Sequence, residues 1–427
     1  MELLLIMANY PYDYGDAVFI KPEIPFLSKS FDKIHVINTN NSSAQYRKNE
    51  TPANIKVIPS EMFFPNNSGK CQWLRACFIS IFHPFRLFLI FLNELYFLLK
   101  RKKMTLPILK TAIIYLLNAN FTAVLLKRYL LDNPEIKLIY TYWYKYETLA
   151  SLICKKLFNI QIKCITRTHG GDLYEFVHKN NYQPYKIWMD RNIDNVFFVS
   201  KAGYDYYINL FAGTDKEKYI ISNLGIENNY KININYNNNI QNRHLNVVSC
   251  SYMVKGKRIN LIIEALSKIN DITINWIHIG DGPEKYFLEE LVISLLKNKN
   301  NITYTFKGHM DNDSIKYFYS KNYFDCFLST TFSEGGNPVS MMEAISFGIP
   351  VIASAVGGVP EIVNHDTGIL LNPDNCIEEL VNALYRFSGM TISERESLGK
   401  SCRIYWEKKY RAETQYLLFI DALRNLL

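Results

Sequence analysis

The stretch from Phe324 to Glu361 leaves this chain few folds to choose from. Phe324–Ser329 (FDCFLS) is an apolar run of strand length, Thr330–Asn337 is polar and carries glycines, and Pro350–Ser354 (PVIAS) is strand-like again. The segment between them reads as a helix with legible ends. Asn337 suits the N-cap and Pro338 the first helical position, where a missing N–H costs nothing. Gly348 suits the left-handed position after the last turn, and Pro350 blocks continuation. Strand, loop, helix and strand in that order make the right-handed crossover of a parallel sheet. Strands and helices alternate on both sides of it, and 427 residues is length enough for two such α/β domains.

Chemistry follows from this geometry. The backbone of Gly335, Gly336 and Asn337, and the helix start that follows Pro338 at Val339, should present unpaired N–H groups, which attract phosphate. Glu334 and Glu343 flank the same place, and carboxylates there fit hydroxyls better than a bare anion. A ligand with phosphates in the middle and polyols at both ends meets both demands, which describes a sugar nucleotide. An ordinary capped crossover helix gives the same pattern, so other motifs must decide.

The segment resembles the Glu-x7-Glu signature of family-4 retaining glycosyltransferases. That resemblance implies the GT-B fold: two Rossmann-like parallel-sheet domains facing across a cleft, with a C-terminal helix crossing back to the first. It places Glu334 at the donor sugar and Glu343 at the ribose. Eight residues separate the two here rather than seven, so the loop should bulge. Arg167-Thr168-His169-Gly170-Gly171-Asp172 follows a strand at Ile162–Thr166 and resembles the family's R-x-H-G-x-D segment. By that resemblance His169 reaches the reaction centre, and Arg167 and Asp172 lie on the acceptor side or support the loop. Gly15, in the loop Asn9–Asp16, falls where the family faces the donor phosphates. After a strand at Leu245–Cys250, Lys257 keeps the family's diphosphate lysine, with Arg258 beside it and Tyr252 standing where an arginine is common. Gly280-Asp281-Gly282-Pro283 resembles the family's GDGP turn.

The resemblance implies an N-terminal acceptor-side domain over residues 1–225, joined by about 405–427, and a C-terminal nucleotide-sugar domain over 226–404. The expected reaction is transfer from a nucleoside-diphosphate sugar to a glycan or lipid-linked acceptor of surface polysaccharide, with no metal and no further cofactor. Asp311 and Asp313 form a D-x-D but read better as helix capping. A sugar-nucleotide epimerase or a catalytically silent binding protein of the same fold remain the rival readings.

Charge adds a partner. Residues 1–225 hold 28 Lys+Arg against 18 Asp+Glu, and within 70–110 eight basic residues meet one acidic. Phe78, Phe82, Phe85, Phe88 and Phe91 share that window. Basic residues beside large aromatics fit docking on an anionic membrane surface, as a core helix with a charged end also does. Nucleic acid is not expected, since no binding motif accompanies the charge. Eight scattered cysteines without a C-x-x-C pair fit a reducing compartment, and the start MELLLIMANY lacks the basic region of a signal peptide. The expected location is the cytoplasm, at the inner face of the membrane. Elsewhere the pattern predicts strands at Glu2–Ala8, Ile34–Asn38 and Lys137–Tyr142, a helix over Val18–Ser30, irregular chain over 40–70, a last N-domain strand at Asn195–Ser200, and an Asn-rich linker surface over 227–243.

Overall fold

The computed structural model describes residues 1–12, 15–40, 48–58, 84–230 and 243–427, with the side chains of all of these except residues 84 and 85. The chain divides into two compact units, Met1–Ser222 with Tyr416–Leu427, and Asn223–Gln415.

The first unit is built on strands β1 (Glu2–Met7), β2 (Lys33–Asn38), β3 (Ile55–Ile58), β4 (Ile136–Thr141), β5 (Lys163–Thr168), β6 (Asn195–Phe198) and β7 (Tyr219–Ile221). They form one sheet in the order β3-β2-β1-β4-β5-β6-β7, parallel throughout. Alternate residues of β1 serve different cores. Leu4 and Ile6 pack with the helices Leu106–Asp132 and Tyr146–Lys156, while Leu3 and Leu5 pack with Leu27, Tyr140 and Phe197. Burial on both faces is why these strands read as unbroken apolar runs. The second core is completed by Phe419, Ile420 and Leu423 of the last helix, Ala412–Arg424.

The second unit carries β8 (His244–Cys250), β9 (Thr273–Ile279), β10 (Ile302–Phe306), β11 (Cys326–Ser329), β12 (Val351–Ser354) and β13 (Gly368–Leu371), in the order β10-β9-β8-β11-β12-β13 and again parallel. Trp276, Val247, Leu328 and Ile352 form its core with the helices Ile259–Ser267 and Cys376–Ser388.

Several expectations need correction. The first sheet does not end at β6, because Tyr219–Ile221 adds a seventh strand. Three residues are too few to show a period. β3 lies in the stretch expected to be irregular, and its burial pattern, with only its ends buried, explains the weak signal. The helix expected over Val18–Ser30 is two, Ala17–Ile20 and Ile24–Ser30, the second carrying Pro25 in its first turn. Asn337 is not the N-cap. The helix is Val339–Ser346 with Pro338 at the cap, one residue later than expected; Asn337 Nδ2 donates to Asn223 Oδ1 at 3.2 Å, and its Oδ1 makes no capping bond. At the other end Gly348 has φ +73°, as a left-handed terminator should. Of the linker surface expected over 227–243, residues 231–242 lie outside the described residues, while Asn228 is buried and donates to the Ser346 carbonyl at 3.0 Å.

Candidate active site

In an open parallel sheet, ligands bind beyond the strand C-termini where the strand order reverses. In the second unit that point lies between β8 and β11. The loops leaving these two strands carry Lys257, Arg258 and Glu334. Lys257 Nζ donates to Glu334 Oε1, forming an ion pair that is partly open to solvent. Arg258, expected beside Lys257 on a diphosphate, instead directs its guanidinium inward. Nε donates to the Thr330 carbonyl at 2.7 Å and Nη2 to the Thr331 carbonyl at 3.3 Å, so it ties one loop to the other. Phe332 N donates to the Gly256 carbonyl at 2.8 Å and strengthens the same tie. Tyr252 and Phe332 stand exposed on the two loops, with the Arg258 guanidinium 5.7 Å from the Phe332 ring.

Two glycine turns hold these loops from below. Gly357, at φ +53°, lies so close that a Cβ would fall 1.8 Å from the Glu334 carbonyl oxygen. A Cβ on Gly358 would meet the Gly336 carbonyl and Asn337 Oδ1, each at 2.6 Å. On the other side a Cβ on Gly280 would sit 2.0 Å from the Ser251 carbonyl, and Met253 N donates to the Asp281 carbonyl at 2.8 Å. The turns show in the sequence as Gly-Gly and Gly-Asp-Gly-Pro; their contact with the site loops does not.

Glu343 lies on the helix that the loop enters and is 4% exposed. Burial pushes its carboxyl up to about 7, against a lowering influence from Lys316. Asn337 Oδ1 is buried without a partner, a state that buried polar atoms seldom keep unless something else supplies the hydrogen bond. Gly335 and Gly336 are half-buried between them. Asp311 caps the helix Asn312–Lys321 by accepting from Ser314 N at 2.8 Å, and Asp313 lies within that helix.

The first unit has its own reversal point, between β1 and β4. Gly15, at φ +58°, lies in the loop after β1, and a Cβ there would fall 2.6 Å from Asn9 Nδ2. Next to it Asp16 accepts from Asn9 Nδ2 at 2.7 Å and from the indole N–H of Trp143, which follows β4. The Trp143 ring lies 4.4 Å from the ring of His169, which follows β5, and Tyr142 lies 4.9 Å from it. Three successive strand ends therefore meet at His169. Burial, aided by Arg167, drives the imidazole down to about 3, so it is neutral at physiological pH. Its Nε2 is buried without a partner.

Asp172 and Arg167 support this arrangement rather than line it. Asp172 accepts from His169 N and from Tyr144 N, each at 2.6 Å. Lys186, fully buried, donates to the Tyr144 carbonyl, and burial lowers its ammonium to about 7. Arg167 is also fully buried, paired with Glu23 at 2.6 Å and 4.3 Å from the Phe419 ring. Asp16, Trp143 and Lys186 escaped the sequence reading. Only Trp143, a large polar-tipped ring just after an apolar strand, left a trace there.

The basic-aromatic window is partly described. Phe78 and Phe82, and the side chain of Phe85, lie outside the described residues. In the helix Pro84–Lys100, Phe91 packs against the core while Phe88, Leu89, Leu92, Tyr96 and Leu99 are exposed. Arg101 and Lys103 are not free charges, because both pair with Glu175. Among the described residues the helix Leu106–Asp132 is long and apolar enough to cross a membrane by length and composition, and 44% of its most apolar window is buried.

Residues 231–403 match the family model of Glycosyl transferases group 1. Sulfoquinovosyl transferase SQD2 of Arabidopsis thaliana is 31% identical over 166 residues, 37% of this chain and 29% of that one. The O-antigen biosynthesis glycosyltransferase WclY of Escherichia coli is 28% identical over 252 residues, 54% of this chain and 65% of that one. Each match thus spans less than two thirds of the relative's own length. Among solved structures, HepE of Anabaena in complex with UDP and glucose superposes with a TM-score of 0.64 at 16% identity, covering 99% of both chains. Sucrose-phosphate synthase from Thermosynechococcus elongatus gives 0.69 at 15% identity, covering 100% of this chain and 98% of that one. With its seven-stranded and six-stranded parallel sheets, the chain has the fold of the GT-B glycosyltransferase structures.

Proposed function

We propose that the protein is a retaining glycosyltransferase that moves a sugar from a nucleoside-diphosphate sugar to a hydroxyl of a glycan or lipid-linked acceptor in surface-polysaccharide synthesis. The observation that carries this reading is the Lys257–Glu334 pair at the β8/β11 reversal point, one loop away from buried Glu343. A cation to meet a diphosphate and carboxylates to meet hydroxyls are what such a donor requires. The match of residues 231–403 to the glycosyltransferase family model supports it, as does the UDP bound by HepE.

In this reading a donor displaces Glu334 from Lys257, whose ammonium then takes the diphosphate charge, and Glu334 orients the sugar. One such preorganised partner contributes about 3–4 kcal/mol to transition-state stabilisation. The acceptor oxygen bonds to the anomeric carbon on the face from which the diphosphate leaves. The carbon–oxygen bond to phosphate breaks, and the acceptor proton passes to the departing phosphate oxygen. No protein nucleophile and no metal take part. His169, neutral and with Nε2 unpartnered, offers a hydrogen bond to a hydroxyl.

We also place the protein in the cytoplasm, peripheral on an anionic membrane, supported by the exposed apolar residues of Pro84–Lys100 beside Lys100 and Lys102. A thermal-shift screen of UDP-, GDP- and ADP-sugars tests the donor reading. One class should stabilise the protein; stabilisation by none sinks the proposal. Consumption of the donor into a new sugar nucleotide without any acceptor would instead identify an epimerase.

A further inference from the structure

Several cations of the first unit have a carboxylate partner that explains them. Arg101 and Lys103 meet Glu175, Lys155 meets Asp194, Lys218 meets Asp190 and Arg167 meets Glu23. Three others converge on one hollow without such a partner among the described residues. Arg86, Lys156 and Arg191 line a cavity of about 480 Å³ between the helices Pro84–Lys100, Tyr146–Lys156 and Lys186–Asn192. Among the described residues no acidic side chain lines it, and Asn93, Asn159 and Trp188 form part of its wall. Arg86 is set in place by a hydrogen bond from Nη1 to the Leu157 carbonyl. Its guanidinium has five N–H donors, so donors remain for a ligand.

The cavity continues directly into the apolar face of the same helix. Leu89 lines the hollow and is 50% exposed. From it Leu92, Tyr96 and Leu99 run along the helix at spacings of three and four, with Phe88 alongside, all of them exposed. An apolar stripe beside a pocket of uncompensated positive charge matches one kind of occupant: an amphiphile whose head carries a phosphate. A free phosphate would leave the stripe uncovered, and an apolar protein partner would bury three cations unpaired.

We propose that this cavity is a headgroup site for an anionic phospholipid, with Arg86, Lys156 and Arg191 around the phosphate and the Phe88–Leu99 stripe against the acyl region. The proposal rests on the membrane reading given above and adds to it a specific site. It makes the attachment stereochemically defined, unlike a diffuse attraction of basic surface to anionic lipid.

The test is co-sedimentation of the full chain with vesicles of phosphatidylcholine alone and with about a quarter phosphatidylglycerol. Wild type should bind the anionic vesicles selectively. Each cation near an anionic surface contributes about fivefold to binding, so Lys156→Glu with Arg191→Glu should weaken it by about 25-fold or more. Both residues are exposed, so the fold should survive, and thermal unfolding checks it. Lys137→Glu with Lys216→Glu makes the same change in net charge away from the cavity and should cost far less. Equal losses in the two double variants overturn the site and leave only diffuse charge. Phe88→Ser with Leu92→Ser should remove the part of binding that high salt leaves intact. Equal, negligible pelleting with both vesicles overturns the proposal, as does stabilisation by inorganic phosphate or glycerol phosphate without vesicle binding. None of these readouts needs turnover, so the donor screen on the second unit fails or succeeds separately.

Discussion

Glu334 and Glu343 differ in what surrounds them, and their variants should differ accordingly. Glu334 is half-open and paired with a lysine, so Glu334→Gln frees Lys257 yet removes the group that orients the sugar. Transfer should fall by two orders of magnitude or more, equivalent to about 3 kcal/mol, with little change in nucleotide affinity. Near-normal turnover would remove Glu334 from the reaction centre. Glu343 is buried, and burial raises its carboxyl to about 7 from 4.5. Between these two values the folded protein holds a proton that the unfolded chain releases, so stability falls as pH rises through this window. The loss is on the order of 3 kcal/mol by about pH 8, and Glu343→Gln should remove it. The variant is therefore expected to melt higher than wild type at about pH 8, to melt alike at about pH 4, and to bind nucleotide more weakly. A lower melting temperature at both would show that the carboxylate is paired. His169 reverses the sign. Held neutral down to about 3, it adds to acid instability below its ordinary value of 6.5 and contributes no step near neutrality to a pH–rate profile.

The loops that carry these residues are positioned by elements with no chemistry of their own. Gly357→Ala would drive a methyl into the Glu334 carbonyl at a backbone angle that alanine tolerates poorly. Donor affinity should fall at least tenfold. Gly171→Ala, with nothing within 4 Å of the added carbon, should leave affinity and melting close to wild type. Isothermal titration with nucleotide compares the two. Removing one partner of the buried Arg167–Glu23 pair should cost about 3–5 kcal/mol, measured by denaturant unfolding of Arg167→Met. The crossover around Glu334 was legible because Gly348, Pro350 and an apolar run at each side mark it locally. The caps at Asp311 and Gly348 were legible for the same reason. β7 and β3 were not, since a strand of three or four residues is defined by its neighbours in the sheet and not by its own pattern. In sequence Arg167 reads only as an acceptor-side or supporting residue and Arg258 as a cation for the diphosphate. Only the fold shows Glu23 and the carbonyls of Thr330 and Thr331 that hold them.

At the scale of the molecule, the chain makes two units but not in two strokes. Phe419, Ile420 and Leu423, all but inaccessible to solvent, complete a core whose other members come from the first two hundred residues. Burying each such side chain contributes about 1.5–3 kcal/mol, so a chain cut after Gln415 should lose several kcal/mol from its first unit while the second keeps its core. Circular dichroism melts of the truncated chain should show one early transition and one near the original temperature. The same threading sets an order of events during synthesis. The second unit is one unbroken segment and can close as soon as it has emerged. The first has its strands early but lacks its final helix until roughly 190 further residues have been made, about 10–40 s at ordinary elongation rates. Through that interval Tyr140, Phe197 and Leu5 border an unfilled groove, so the nascent chain passes through a period of dependence on chaperones that the finished protein does not share.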